Sequence, residues 1–122
     1  MQLSAIFRRG VVLPLTPAAQ LRMEKGQLEG ELAVRWLDLS HDLFSVIWGR
    51  GFFQEINARL GSQIDDYVEE VVPWESLPVI LELTQQQARL TLGGAPAGQF
   101  FHCLADLCRE GFSRKMPLYF VL

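Results

Sequence analysis

Gln99-Phe100-Phe101-His102-Cys103-Leu104-Ala105-Asp106-Leu107-Cys108-Arg109-Glu110, closed by Gly111 and followed from Pro117 by Leu118-Tyr119-Phe120-Val121-Leu122, is the stretch that decides the fold. Phe100, Phe101, Leu104, Leu107 and Cys108 recur at helical spacing, so 99–110 reads as a helix with one apolar stripe. Gly111 is its expected stop. The run after Pro117 has no polar alternation, and a strand without a polar face is one buried on both sides. Residues 118–122 therefore belong inside a sheet with elements packed over both faces.

Working back toward the N-terminus, the other segments supply that covering. Leu3, Ala5, Phe7, Val11, Leu13 and Leu15 share one parity and predict extended chain over 3–15, which Arg8-Arg9-Gly10 is placed to fold into a hairpin. Thr16-Pro17 opens a helix to about Lys25, with Gly26 as its stop. Residues 28–36 fit a strand or a helix; Gly30 and the polar alternation favour the strand. Asp38 or Ser40 caps a helix over 41–48, Gly49-Arg50-Gly51 breaks it, and 52–60 resumes with Phe53, Ile56 and Leu60 inward. Residues 62–73 read as loop or edge strand. From Pro73 a helix is expected through Leu77, Ile80, Leu81 and Thr84, with a hairpin of 79–84 and 88–92 as the competing reading. Leu90–Leu92 reads as a short strand and 93–98 as a loop. The expectation is a single α+β domain over 1–122, a three- to four-stranded sheet packed with four to five helices.

Charge narrows the function classes. The 122 residues carry 14 acids and 11 bases, a net of −3. Nucleic-acid binders normally show a cationic excess, so none is expected as partner. No apolar run approaches the roughly 20 residues of a membrane span, and the N-terminal arginines follow the apolar residues, the reverse of a signal peptide. Cytoplasmic location without membrane association is expected. Cys103 and Cys108 lie five apart, about 140° around a helix, which disfavours a mutual disulfide and suits a reducing compartment.

Three constellations invite a chemical reading. His102 and Asp106 share a helix face beside Cys103, and His41 with Asp38 and Asp42 has general acid–base spacing. A small enzyme would join Cys103 or His102 to His41 and Asp38. The plainer readings are an amphipathic helix with two small buried thiols and carboxylates at a helix start. Gly49-x-Gly51 and 93–98 lack the spacing and lysine of a phosphate cradle. No metal site or cofactor is expected, because neither Cys-x-x-Cys, His-x-x-x-His nor a calcium loop is present.

The most informative constellation is acidic. Residues 60–88 contain Asp65, Asp66, Glu69, Glu70, Glu75 and Glu82 without one lysine or arginine, while the rest of the chain holds all eleven bases. Tyr67 and Trp74 are interleaved. Carboxylates without local counter-ions steer a basic partner, and Tyr and Trp are common interface anchors. Asp65, Asp66, Tyr67, Glu69, Glu70, Trp74 and Glu75 are the expected partner-binding residues. In the competing reading the carboxylates meet arginines from elsewhere and Trp74 is core.

Gln63-Ile64-Asp65-Asp66-Tyr67-Val68-Glu69-Glu70-Val71-Val72-Pro73 running into Leu77-Pro78, with Phe100–Arg109 and Pro117–Phe120 after it, resembles small uncharacterised bacterial proteins, some of the toxin-immunity type. The resemblance covers a minority of the chain. It implies a non-enzymatic bacterial protein that binds another protein, such as a basic toxin. The alternatives are a subunit that self-associates, as a homodimer, through an apolar patch of Trp48, Phe52 and Phe53, and the small cysteine/histidine enzyme.

Overall fold

A computed structural model describes residues 9–27, 33–66, 68–92 and 94–122. In chain order these form β1 (Gly10–Pro14), α1 (Pro17–Glu24), β2 (Val34–Asp38), α2 (His41–Gly49), α3 (Phe52–Leu60), β3 (Glu69–Val72), a 3₁₀ turn (Trp74–Ser76), α4 (Leu77–Arg89), α5 (Pro96–Arg114) and β4 (Leu118–Val121). The four strands make one antiparallel sheet in the order β2-β1-β4-β3. This is the α+β domain expected. The extended reading of 3–8 and the strand reading of 28–32 fall outside the described residues.

Alternation assigns the two faces of the sheet. Val11, Leu13, Leu118, Phe120 and Val72 join the main core under the helices, whereas Val12, Tyr119 and Val121 pack with Met23 of α1, Val34 and Trp36. Every residue of β4 is buried, as its unbroken apolar run requires. The main core is knit by aromatic rings. Phe53 of α3 meets Phe120 of β4 edge-on at 6.3 Å and Phe52 at 5.5 Å, and Phe52 meets Phe101 of α5 at 5.1 Å. Phe44 stacks on Phe53 from α2 at 5.6 Å.

Several expectations are corrected. Phe52 and Phe53 are 1% and 0% exposed and belong to the core, and the half-buried Trp48 packs on Phe53, so the two phenylalanines offer no self-association patch. The alternative hairpin at 79–92 is replaced by the single helix α4, and Leu90–Leu92 is a turn instead of a strand. The period-two alternation of Val79, Leu81 and Leu83 was misleading, because Leu77, Ile80, Leu83 and Thr84 are the positions that face inward. Helix α5 starts three residues early, at Pro96, and runs through Gly111 to Arg114. Gly111 is a crossing point. A Cβ there would lie 2.7 Å from Leu77 Cδ1 and 3.1 Å from both Leu13 Cδ1 and the Met116 carbonyl oxygen. The actual terminator is Lys115, in left-handed conformation at φ 57°, with the Met116 N–H closing back on the Gly111 carbonyl at 2.9 Å.

Polar ties hold the periphery. Thr16 and Ser40, not Asp38, accept the N-terminal amides of α1 and α2 at 3.0 and 3.1 Å. Glu110 of α5 accepts Arg35 of β2 at 2.5 Å and Arg114 at 3.0 Å. The Arg35 hydrogen bond first, and Arg114 with it, hold the Glu110 carboxyl below its ordinary 4.5, against the opposing effect of burial.

Two predictions follow from this packing. Gly111→Val forces a branched side chain into the α5 crossing and should destabilise the fold by about 1–3 kcal/mol in urea titration; an unchanged midpoint would contradict the crossing. Because Glu110 titrates lower in the folded than in the unfolded chain, its contribution is full above pH 4.5 and fades as pH falls through the depressed value. Glu110→Gln should cost up to about 1 kcal/mol at neutral pH and less at pH 3, since the two ion pairs are partly exposed.

Candidate functional site

The acidic segment begins where α3 ends. Gly61 adopts φ 68°, a left-handed conformation that suits glycine, and turns the chain out of the helix. Asn57 then pins the loop: its Oδ1 accepts Ser62 Oγ at 2.8 Å and the Ile64 N–H at 2.9 Å, and its Nδ2 donates to the Ile64 carbonyl at 2.9 Å. Ile64, 1% exposed, is the apolar plug that the arrangement holds in the core.

Past the plug, Asp65 accepts the Asp66 N–H at 2.7 Å, and Asp66 accepts Arg9 Nη2 at 2.5 Å. The Arg9 guanidinium lies 5.0 Å over the Phe44 ring and its Nη1 is 3.2 Å from His41 Nδ1. Arg9 thus joins β1, α2 and the acidic loop.

Strand β3 follows as an outer edge of the sheet. Leu122 donates to the Val68 carbonyl at 3.2 Å. Antiparallel alternation then turns the backbone of Glu70 and Val72 toward β4, and that of Glu69 and Val71 outward. Glu70 partly closes this edge: its carboxylate accepts the outward Val71 N–H at 3.2 Å and the Gln63 N–H at 2.5 Å. Between Leu60–Ser62 and Glu70–Pro73 lies a hollow of about 220 Å³. Val71 remains 47% exposed on the other face of the strand. Beyond Pro73, Trp74 packs on the core, with its ring 5.6 Å from Phe112 and Lys115 Nζ 5.7 Å from the ring.

The six carboxylates are therefore spread over a loop, an edge strand, a turn and a helix, and are partly compensated. Asp66 pairs with Arg9, and Glu82 approaches Arg59 at 3.9 Å. Glu70 is occupied by backbone amides, and Trp74 is half-buried and shared with Phe112 instead of standing clear as an anchor. Tyr67 lies outside the described residues. Asp65 and Glu75 are exposed, and no cation pairs with them among the described residues. Val71 and Phe112 are surface contacts that sequence reasoning missed. Phe112 had a signal, since it follows Gly111 in a helix read as ending there.

The cysteine and histidine constellation is brought together only in part: Asp38 borders one hollow with Cys103 and another with His41, and no described hydrogen bond joins either histidine to Cys103. Asp38 accepts the Trp36 indole N–H, and Asp106 pairs with Arg109 at 3.1 Å instead of with His102. His41 borders a hollow with Arg9, Asp38 and Ser40, whereas His102 borders another between α4 and α5. Cys103 is exposed, not buried as expected, beside Asp38, Leu37 and Gln99. Cys108 is buried, and burial pushes its thiol up to about 12, which keeps it protonated at neutral pH. Among the described residues no three His, Cys, Asp or Glu side chains cluster as metal ligands, and no helix is long and apolar enough to cross a membrane.

Comparison with protein-family models, curated proteins and solved structures returns no match for this chain.

Thiol chemistry checks the assignment of the two cysteines. Iodoacetamide should modify one thiol per native molecule, Cys103, and the second only after denaturation. Rapid modification of both under native conditions would contradict the packing of α5.

Proposed function

We propose that this chain is a non-enzymatic bacterial protein-binding module of the immunity type, which docks a partner with a basic surface along the β3 edge and occludes it. The observation that carries the reading is the exposed strip formed by Asp65, Val71 and Glu75, with the half-buried and already engaged Glu69 between them. It follows the outer strand of the sheet from one end to the other, with Val71 nearly half exposed. The exposed ring of Phe112 beside Trp74 lies past one end.

Physical chemistry supports each part of this reading. Exposed carboxylates along an edge raise the encounter rate with a cationic surface, and the effect fades with salt. Val71 and Phe112 offer apolar area for burial once contact is made. A nuclease toxin fits the partner role, because a surface that binds phosphates is cationic. The strip is narrower than the sequence suggests, since Asp66 and Glu82 already face arginines. The exposed Cys103 thiol is consistent with action in the reducing cytoplasm.

The test compares the protein with its Asp65→Asn/Glu69→Gln/Glu75→Gln variant, each immobilised and exposed to lysate from the source cells. A cationic protein should be retained by the first and largely lost from the second. With that protein purified, the triple variant should associate roughly tenfold more slowly at low salt, and its rate should depend less on ionic strength. Equal retention and equal salt dependence would sink the proposal.

A further inference from the structure

A second surface of opposite charge lies at the far end of α4. Helix α4 ends at Arg89 and α5 starts at Pro96, and a connection this short makes the two antiparallel neighbours. On their outer side they part around a hollow of about 420 Å³, lined by Gln85, Ala88, Arg89, His102, Arg109 and Phe101 with Ala105. Ala88 and Ala105 project too little to fill the space between the helices, and the buried Phe101 ring lies beneath them.

The rim is cationic in a chain whose net charge is −3. Arg89 donates Nε to the Gln85 carbonyl at 3.3 Å. Arg50 donates to Gln87 Oε1 at 3.0 Å and to Thr91 Oγ1 at 2.6 Å, with its guanidinium 5.6 Å over the same Phe101 ring. These acceptors are neutral, and neither arginine forms an ion pair among the described residues. Arg109 shares Asp106, in a pair about half exposed to solvent. Two guanidinium groups, those of Arg89 and Arg109, thus line the hollow together with His102, and Asp106 is the one carboxylate paired with either of them. Immediately beyond Arg89 the turn exposes Leu90 and Leu92, at 75% and 83%. Leu77 to Arg89 spans about 18 Å of helix, so this surface is separate from the β3 edge.

We propose that the α4–α5 groove binds an acidic, amphipathic peptide segment of a partner protein. A glutamate or aspartate of that segment is held by Arg89 and Arg109, and an apolar side chain enters over Ala88, Ala105 and Phe101. Charge complementarity selects the carboxylate, because a guanidinium matches it in shape and keeps its charge at any working pH. The two exposed leucines select a peptide over a small anion, because they extend the apolar surface past the hollow to a neighbouring residue of the same segment.

The experiment is a ¹H–¹⁵N NMR titration of the full chain with an end-blocked hexapeptide of alternating leucine and glutamate. Saturable shifts are expected at Gln85–Leu90 and Phe101–Arg109, with a Kd of about 1 mM or tighter. The peptide with glutamine in place of glutamate, and the Arg89→Gln/Arg109→Gln variant with the original peptide, should each bind at least fivefold more weakly. Both arginines are exposed, so the variant is expected to fold, and its spectrum away from the groove verifies this. A bulkier floor offers a second check: Ala105→Leu should weaken binding while leaving the charges in place. Absence of saturable shifts, equal affinity for the glutamine peptide, or shifts confined to β3 would overturn the proposal. So would groove shifts that grow with protein concentration alone, which would assign the groove to a second copy. Binding of phosphatidylglycerol vesicles without peptide binding would assign it to a lipid surface and overturn it equally.

Discussion

The ring contacts that run from Phe120 through Phe53 and Phe52 to Phe101 are the constraint on which the rest of this structure depends. They join the central strand β4, the middle helix α3 and the longest helix α5 in one unbroken aromatic path. Each pair in such a path contributes about 0.5–1.5 kcal/mol beyond the area it buries. The geometric effect is larger than the energetic one. With α3 held against both β4 and α5, the chain leaves α3 at the sheet margin and returns as the outer strand β3. The β3 edge thus lies beside the frame that the phenylalanines hold.

The polar interactions refine this frame without creating it. Asn57 shapes the loop that places Ile64 in the core, and Arg9 gathers Asp66, His41 and the Phe44 ring at the corner between β1 and α2. Such groups specify one arrangement among several that apolar packing alone would tolerate, because each needs a partner in a particular direction. They also consume charge. An arginine drawn to Asp66 is no longer available for another carboxylate, and Asp66 presents less field to an approaching molecule.

What remains is a molecule with separated charges: a carboxylate strip along β3 and a cationic, apolar recess near the far end of α4. In a binding protein, two such surfaces allow two contacts of different chemistry, or two parts of one partner. Glu24 accepts the Tyr119 hydroxyl, which also meets Gln20, and this ties α1 to β4. Burial and Glu24 together raise the affinity of that hydroxyl for its proton, so it stays neutral and structural.

The amino-acid sequence by itself determined the class of fold, the doubly buried last strand and most helices, because apolar spacing and capping residues such as Thr16 and Ser40 act over a few neighbours. It also determined that the 60–88 segment would be acidic. Only the tertiary structure decided that Gly111 is a crossing point instead of a stop, that Phe52 faces inward, and that Leu90 and Leu92 face out. It alone decided which carboxylates meet arginines: the partner of Asp66 lies 57 residues away and that of Glu82 lies 23 away. The physical reason is range. Periodicity is a property of adjacent turns and pleats, whereas burial at a crossing and neutralisation of a charge depend on which distant segments the core brings together.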